Sequence, residues 1–260
     1  MRIAKAVRVG GPSRFADGRK LRNLMTTENA KTSKGVAFGY LTAILYLAPS
    51  DVSGLVNVCP FASRGCRMGC LNTAGRGSFK KIQRQRIAKT ELFVRDREYF
   101  MASLAYSVKV AQRKADREGL KLCVRLNGTS DLRMLVERIA PQFPNVQFYD
   151  YTKDPQAWYK PRPDNWHFTF SASEVNQGAQ ADALRHGVNV AMVFDTKRGQ
   201  PLPETHNGVR VVDGDKSDLR FLEGYQGVIV GLRAKGRAKK DQSGFAVKSE
   251  LVQIGVAAEW

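Results

Sequence analysis

A chain of 260 residues with 42 Lys and Arg against 24 Asp and Glu carries a formal charge of +18, and its pI is near 10.0. The length suits one large α/β domain or two small ones. The charge is most simply matched by a polyanion, nucleic acid ahead of a membrane surface. Four cysteines split three and one exclude a disulfide framework, no apolar run approaches twenty residues, and Met1–Val7 is too short and charged for a signal peptide, so a reducing, cytoplasmic setting with no membrane partner is expected.

Residues 1–36 are basic, rich in Gly, Ser and Asn and poor in periodicity. They read as an irregular arm whose Arg14, Lys20, Arg22, Lys31 and Lys34 are available to phosphate, with Val9–Ser13 as a turn. From residue 37 to 260 a single α/β domain is expected. Its first buried strand is Phe38–Ala48, an apolar and aromatic run stopped by Pro49.

The stretch after that strand, NVCPFASRGCRMGCLNTAGRG over Asn57–Gly77, holds three of the four cysteines. Cys59, Cys66 and Cys70 read C-x6-C-x3-C, loop spacing followed by nearly one helical turn, so three thiols can face one point. Three thiolates, unlike the four ligands of a closed structural zinc site, leave a coordination position open for substrate, cofactor or water. Either an iron–sulfur cluster or zinc suits such a set. Cys123 sits in a strand-like run and reads as a core residue; His167, His186 and His206, each alone in its segment, are the remaining candidates for a fourth ligand.

Ser78–Phe93 reads as a basic helix, and a second helix runs from Asp96, a suitable N-cap, to Glu118, with Phe100, Leu104, Val108 and Ala111 on one face and Gly119 as its stop. Six further apolar runs follow: Leu122–Leu126, Val146–Tyr149, Trp166–Phe170, Val188–Phe194, Val209–Val212 and Val228–Leu232. Near-continuous apolar strands alternating with helices or loops mark a parallel sheet buried on both faces. Seven strands make a TIM-like complete or partial (β/α) barrel the leading architecture, with an open doubly wound sheet as the alternative.

In a barrel the carboxyl ends of the strands share one mouth. Those ends carry Arg125, Asn127, Asp131, Asp150, Lys153, Ser171, Ser173, Glu174, Asp195 and Asp213 beside the cysteine loop. Asp131 and Asp150 are the candidate acid/base or nucleophile, with Asn127 beside them and Arg125 as an anion or base-edge contact; Ser171, Ser173 and Glu174 are candidate cofactor contacts. Each also suits a helix cap or strand-end turn. Two basic runs flank the mouth: Arg76, Lys80, Lys81, Arg84 and Arg86 after the cysteine loop, and Arg233, Lys235 and Arg237 after the last strand. They are the expected footprint for nucleic acid, DNA ahead of RNA, with Gly75-Arg-Gly77 allowing close backbone approach to phosphate. Chemistry on a duplex base would require local opening or flipping.

Asn29–Thr32, Tyr40–Thr42, Leu47–Pro49, Asn57–Ser63, Cys70–Gly77, Arg125–Asp131 and Gly227–Gly231 together resemble the bacteriophage "gene product eighty-eight" family over nearly the whole chain. The resemblance implies a phage origin and expression in the host cytoplasm, and no particular activity. A looser likeness is to radical S-adenosylmethionine enzymes, whose partial barrel carries three cysteines after its first strand on a [4Fe–4S] cluster, spaced C-x3-C-x2-C where this chain has C-x6-C-x3-C. It implies a nucleic-acid-modifying enzyme with a cluster, with or without S-adenosylmethionine. Phage DNA guanine transglycosylases offer a second enzymatic parallel, with aspartates as nucleophile and acid and a structural zinc on cysteines that lie late in the chain rather than early. A non-catalytic nucleic-acid-binding or host-interaction protein with a structural zinc is the third.

Overall fold

The computed structural model describes residues 14–28 and 32–249. The turn expected at Val9–Ser13 and the phosphate contact expected of Lys31 lie outside them. The arm joins the fold: β1 (Met25–Thr26) pairs antiparallel with β2 (Tyr40–Leu45), and α1 (Thr32–Val36) stands between them. β2 is the expected first strand, shorter at both ends. The cysteine loop contains α2 (Arg64–Met68) and leads into α3 (Lys80–Arg95) and α4 (Arg97–Arg117). Asp96 starts α4 as expected, its carboxylate accepting from Tyr99 N at 3.2 Å, and Gly119 ends it at a φ of 65°.

β3 (Lys121–Arg125), α5 (Arg133–Ile139), β4 (Gln147–Thr152), β5 (Trp166–Ser171), α6 (Gln177–Arg185) and β6 (Val190–Phe194) follow. The chain ends in a hairpin of β7 (Thr205–His206) and β8 (Val209–Asp213), then β9 (Ile229–Arg233) and β10 (Ala246–Val247). All seven expected apolar runs are strands of one sheet, ordered β1-β2-β3-β4-β5-β6-β9-β8-β7. β2 through β9 and β8 run parallel; β1 and β7 are antiparallel edges.

The sheet does not close, which corrects the expectation of a complete barrel. β9 inserts between β6 and β8, leaving β8 beside the short edge strand β7 instead of near β2. The β8–β9 connection also turns inward instead of forming an outer helix. Its Phe221 packs edge-on against Tyr40 of β2 and tilted against Tyr149 of β4, with ring centroids 5.2 and 5.6 Å apart. Its Arg220, 1% exposed, donates to the Tyr151 hydroxyl at 2.8 Å and to Gly214 O, Ser217 O and Glu223. The sheet curls round this plug far enough that Lys34, before β2, donates to Asp215 O, after β8, at 2.7 Å.

Strand alternation separates two faces. Leu41, Ala43, Leu45, Leu122, Val124, Phe148 and Phe168 point outward and join Phe100, Leu104 and Val108 of α4 and Leu135 and Val136 of α5 in the main core. Each such fully buried side chain contributes about 1.5–3 kcal/mol. The alternate positions, Thr42, Cys123, Arg125, Tyr149, Tyr151 and Thr169, face inward and are mostly polar. Among the described residues no helix is long and apolar enough to cross a membrane.

Candidate active site

A cavity of about 270 Å³ opens at the carboxyl ends of the parallel strands, and Cys59, Cys66 and Cys70 all line it. Each thiol is set differently. Cys59 follows an Asn57 turn, its N–H donating to Asn57 Oδ1 at 2.8 Å; its sulfur accepts from Ser50 N at 3.2 Å. Cys66 lies in α2, whose first turn is capped by Ser63 Oγ accepting from Cys66 N at 3.1 Å. Cys70 stands at the head of a 3₁₀ turn, its sulfur accepting from Asn72 N at 3.5 Å.

Glu174 fastens this loop to the sheet. One of its carboxylate oxygens accepts from Ser63 Oγ and the other from Gly65 N, both at 2.7 Å, so an anion sits on the amino end of α2 where free N–H groups favour it. Gly65 has to be glycine here: a Cβ would lie 2.2 Å from Ser243 Oγ and 2.8 Å from Glu174 Oε1. Glu174, expected as a cofactor contact, therefore has its oxygens engaged as a clamp. Ser173 is buried beside it and does not line the cavity, whereas Ser171 does.

The turn after β3 is built round Asn127. Its Oδ1 accepts from Ser130 Oγ at 2.8 Å and Leu132 N at 2.9 Å, and its own N–H and Nδ2 donate to Asp150 at 2.9 and 3.2 Å. Thr129 Oγ1 donates to Leu47 O at 2.6 Å and Asp131 N to Val58 O at 2.8 Å, docking the turn on the cysteine loop. Gly128 makes that approach feasible, since a Cβ would meet Leu45 O at 2.7 Å.

Arg125, Asn127 and Asp131 line the cavity as expected, and Asp150 does not. It follows the outward parity of Phe148, so its carboxyl lies behind the floor among Asn127, Arg133 and Trp166; the expectation that all strand-end acids share one mouth is corrected for it, for Asp195, held by Ser249, for Asp213, held by Arg233, and for Glu174, none of which lines the cavity. Burial pushes Asp150 up to about 7 despite Arg125 and the two Asn127 bonds. Burial also raises Asp131, against the Lys153 N–H that donates to it at 2.8 Å.

The Cys59 and Cys70 thiols are desolvated too. Burial pushes Cys59 up to about 12, with Cys70, Asp131 and Cys66 adding repulsion, and burial with Cys66 raises Cys70 against Arg86 and Lys153. Sulfurs so placed stay protonated unless a cation joins them. In donor type and in facing one cavity they suit a soft metal or a cluster. Their spacing fits less well: among the described residues no three His, Cys, Asp or Glu side chains gather closely enough to hold a metal ion. No histidine lines the cavity, which removes His167, His186 and His206 as its fourth ligand, and Cys123 is buried against Thr42.

Of the two basic runs, Arg76, Lys80, Lys81, Arg84, Lys235 and Arg237 are exposed. Arg86 is not. It lies on the buried side of α3, donates to Asn72 Oδ1 and stacks over Tyr46 at 5.0 Å, so it braces the cysteine loop from beneath. Arg233 pairs with Asp213 and Asp215 at 3.1 Å, and Lys235 with Asp215 at 2.7 Å. The runs adjoin, as expected: a Cβ on Gly236 would lie 2.9 Å from Ala74 Cβ, and one on Gly69 3.2 Å from Ala238 Cβ. β10 then pairs with the end of β6, past the point where β5 stops, which brings Phe245 over the cavity.

Sequence reasoning missed Tyr151, Asp218 and Phe245 as lining residues. Alternation from Tyr149 points to Tyr151; nothing in the sequence marks the inward plug or the returning strand.

Residues 19–249 match the family model described as Gene product 88. The chain belongs to this bacteriophage family. Neither a curated protein nor a solved structure matches it, so the comparisons lend no support to the radical S-adenosylmethionine likeness.

Proposed function

We propose that this gene product 88 family member is a metal-dependent enzyme acting on nucleic acid in the host cytoplasm, DNA ahead of RNA, and modifying a base or nucleoside. The observation that carries the reading is that three thiols line one cavity at the carboxyl ends of parallel strands, beside an exposed basic rim. We read the curled sheet as a partial barrel open at the β8 edge. Cys59, Cys66 and Cys70 would hold an iron–sulfur cluster or zinc after their side chains draw together, and such a centre supplies either one-electron chemistry, with S-adenosylmethionine as a possible co-reactant class, or a Lewis acid.

The chain's own residues do the rest. Glu174 and Arg86 hold the cysteine loop from two sides, Asp131 offers a carboxyl of raised proton affinity at the cavity wall, and Phe245 limits water above it. The two-aspartate transglycosylase arrangement is disfavoured, because Asp131 faces the cavity and Asp150 lies behind it. Arg76, Lys80, Lys81, Arg84 and Arg237 would hold phosphates at the rim.

Oligonucleotide binding across a salt series tests the footprint. Log affinity should fall linearly with log salt, by about 0.9 per neutralised phosphate on duplex DNA, and K80A/K81A/R84A should flatten that slope for all sequences alike. An unchanged slope, or no binding by the intact protein at low salt, removes nucleic acid as the partner.

A further inference from the structure

Arg125 is 7% exposed, and none of its nitrogens donates a hydrogen bond to a described residue. Its Nε is wholly enclosed and lies 3.8 Å from Asp150 Oδ1, beyond hydrogen-bond reach. The guanidinium stacks 4.5 Å from the Tyr151 ring centroid, which fixes its plane, and it lines the cavity floor. Buried guanidinium groups are ordinarily saturated with acceptors. This one leaves its Nε without an acceptor among the described residues, while Asp218 and Asp150 offset its charge at longer range.

The wall around it is rich in cations. Lys34, Arg125, Lys153, Arg233 and Lys235 line the cavity with Asp131, Asp215 and Asp218, while Asp213 pairs with Arg233 and Asp150 lies 3.8 Å from Arg125. A phosphate monoester carries about −1.5 to −2 at neutral pH. Lys153 lies beside the Phe245 ring, 5.9 Å from its centroid, makes no ion pair with a described residue and lines the same cavity.

We propose that the cavity floor is an oxyanion site, in which the Arg125 fork takes two oxygens of a phosphate or carboxylate and Lys153, which lines the same cavity, meets the same group. Bidentate recognition is what a planar guanidinium does better than an ammonium. The cavity is at the small end of ligand pockets, so it admits a small anion or the end of a strand and not an internal duplex phosphate. The proposal rests on reading the cavity as the ligand site and is independent of the metal.

Calorimetric titration of the full chain with inorganic phosphate tests it. Saturable binding at one site is expected, weakened about tenfold or more in R125Q and less in R125K. K153A, outside the main core, should weaken it about threefold. It decides the matter if R125Q fails to fold. No saturable binding at millimolar phosphate, or equal affinity in R125Q, or in K153A where R125Q does not fold, overturns the site. A 5′-phosphorylated oligonucleotide that outcompetes its unphosphorylated twin assigns the oxyanion to a strand end; equal competition by both, with tight binding of a nucleoside monophosphate, assigns it to a free small molecule. Phosphate binding without any oligonucleotide binding keeps this site and removes the nucleic-acid reading, and the reverse result removes this site alone.

Discussion

The two faces of the sheet are built on opposite principles. Outside, Leu45, Val124, Phe148 and Phe168 join Phe100 and Leu104 in an apolar core interrupted only locally, at Asp150 and at a Trp166 Nε1 without a partner among the described residues. Inside, the same strands turn Thr42, Arg125, Tyr151, His167 and Thr169 towards Arg220, Asp218 and a cavity, and several polar atoms there find no partner among the described residues, including Arg125 Nε, Thr169 Oγ1 and His167 Nε2. A close-packed face stabilises the fold, and an under-satisfied one stores binding capacity. The expectation that parallel strands are apolar on both faces therefore holds for one face only.

If the outer face carries the stability, Phe148→Ala should cost about 3–5 kcal/mol in denaturant unfolding, by lost transfer energy and a cavity. A loss below about 1 kcal/mol would show that the outer core repacks freely. The boundary between the faces should be sensitive to pH. Asp150 is raised in the folded chain to about 7 from its ordinary 3.8, so the folded state holds more protons between those values. Its contribution is fully present below about pH 4 and is lost as pH rises through 7, a loss on the order of 4 kcal/mol. Unfolding free energies from pH 4 to 8 should show this decline in the parent and a flatter profile in D150N; parallel profiles would place the carboxyl in a wetter setting. The smallest effect is expected inside. Thr169→Val removes a buried hydroxyl that has no partner, so it should change stability by no more than about 1 kcal/mol, in the stabilising direction. A clear loss would mean the hydroxyl is satisfied.

Much of this architecture was legible before the structure. The seven apolar runs became seven strands, Asp96 and Gly119 bounded α4, and the cysteine loop came to the strand ends, because these rest on local pattern and on the rule that parallel strands open at their carboxyl ends. What was not legible depends on contacts between distant segments. Arg86 looked like one more surface cation in a basic helix, and only the position of Asn72 and Tyr46 turns it inward. Asp150 was assigned to the mouth by sequence position, whereas strand parity sends it behind the floor. The insertion of β9 beside β6 and the inward turn of Arg220–Leu222 leave no periodic trace, so the sequence pattern points to a complete or partial barrel ahead of the open sheet that forms.

The central claim is that Cys59, Cys66 and Cys70 bind one metal centre. Anaerobic purification followed by iron, sulfide and zinc analysis with an optical spectrum tests it most directly, on the parent chain and on C59S, C66S and C70S. The account predicts either a brown protein with iron and sulfide or a colourless one with one zinc, and loss or sharp reduction of that metal in each variant. No metal under aerobic or anaerobic conditions, or metal retained unchanged when all three cysteines are replaced, would contradict it.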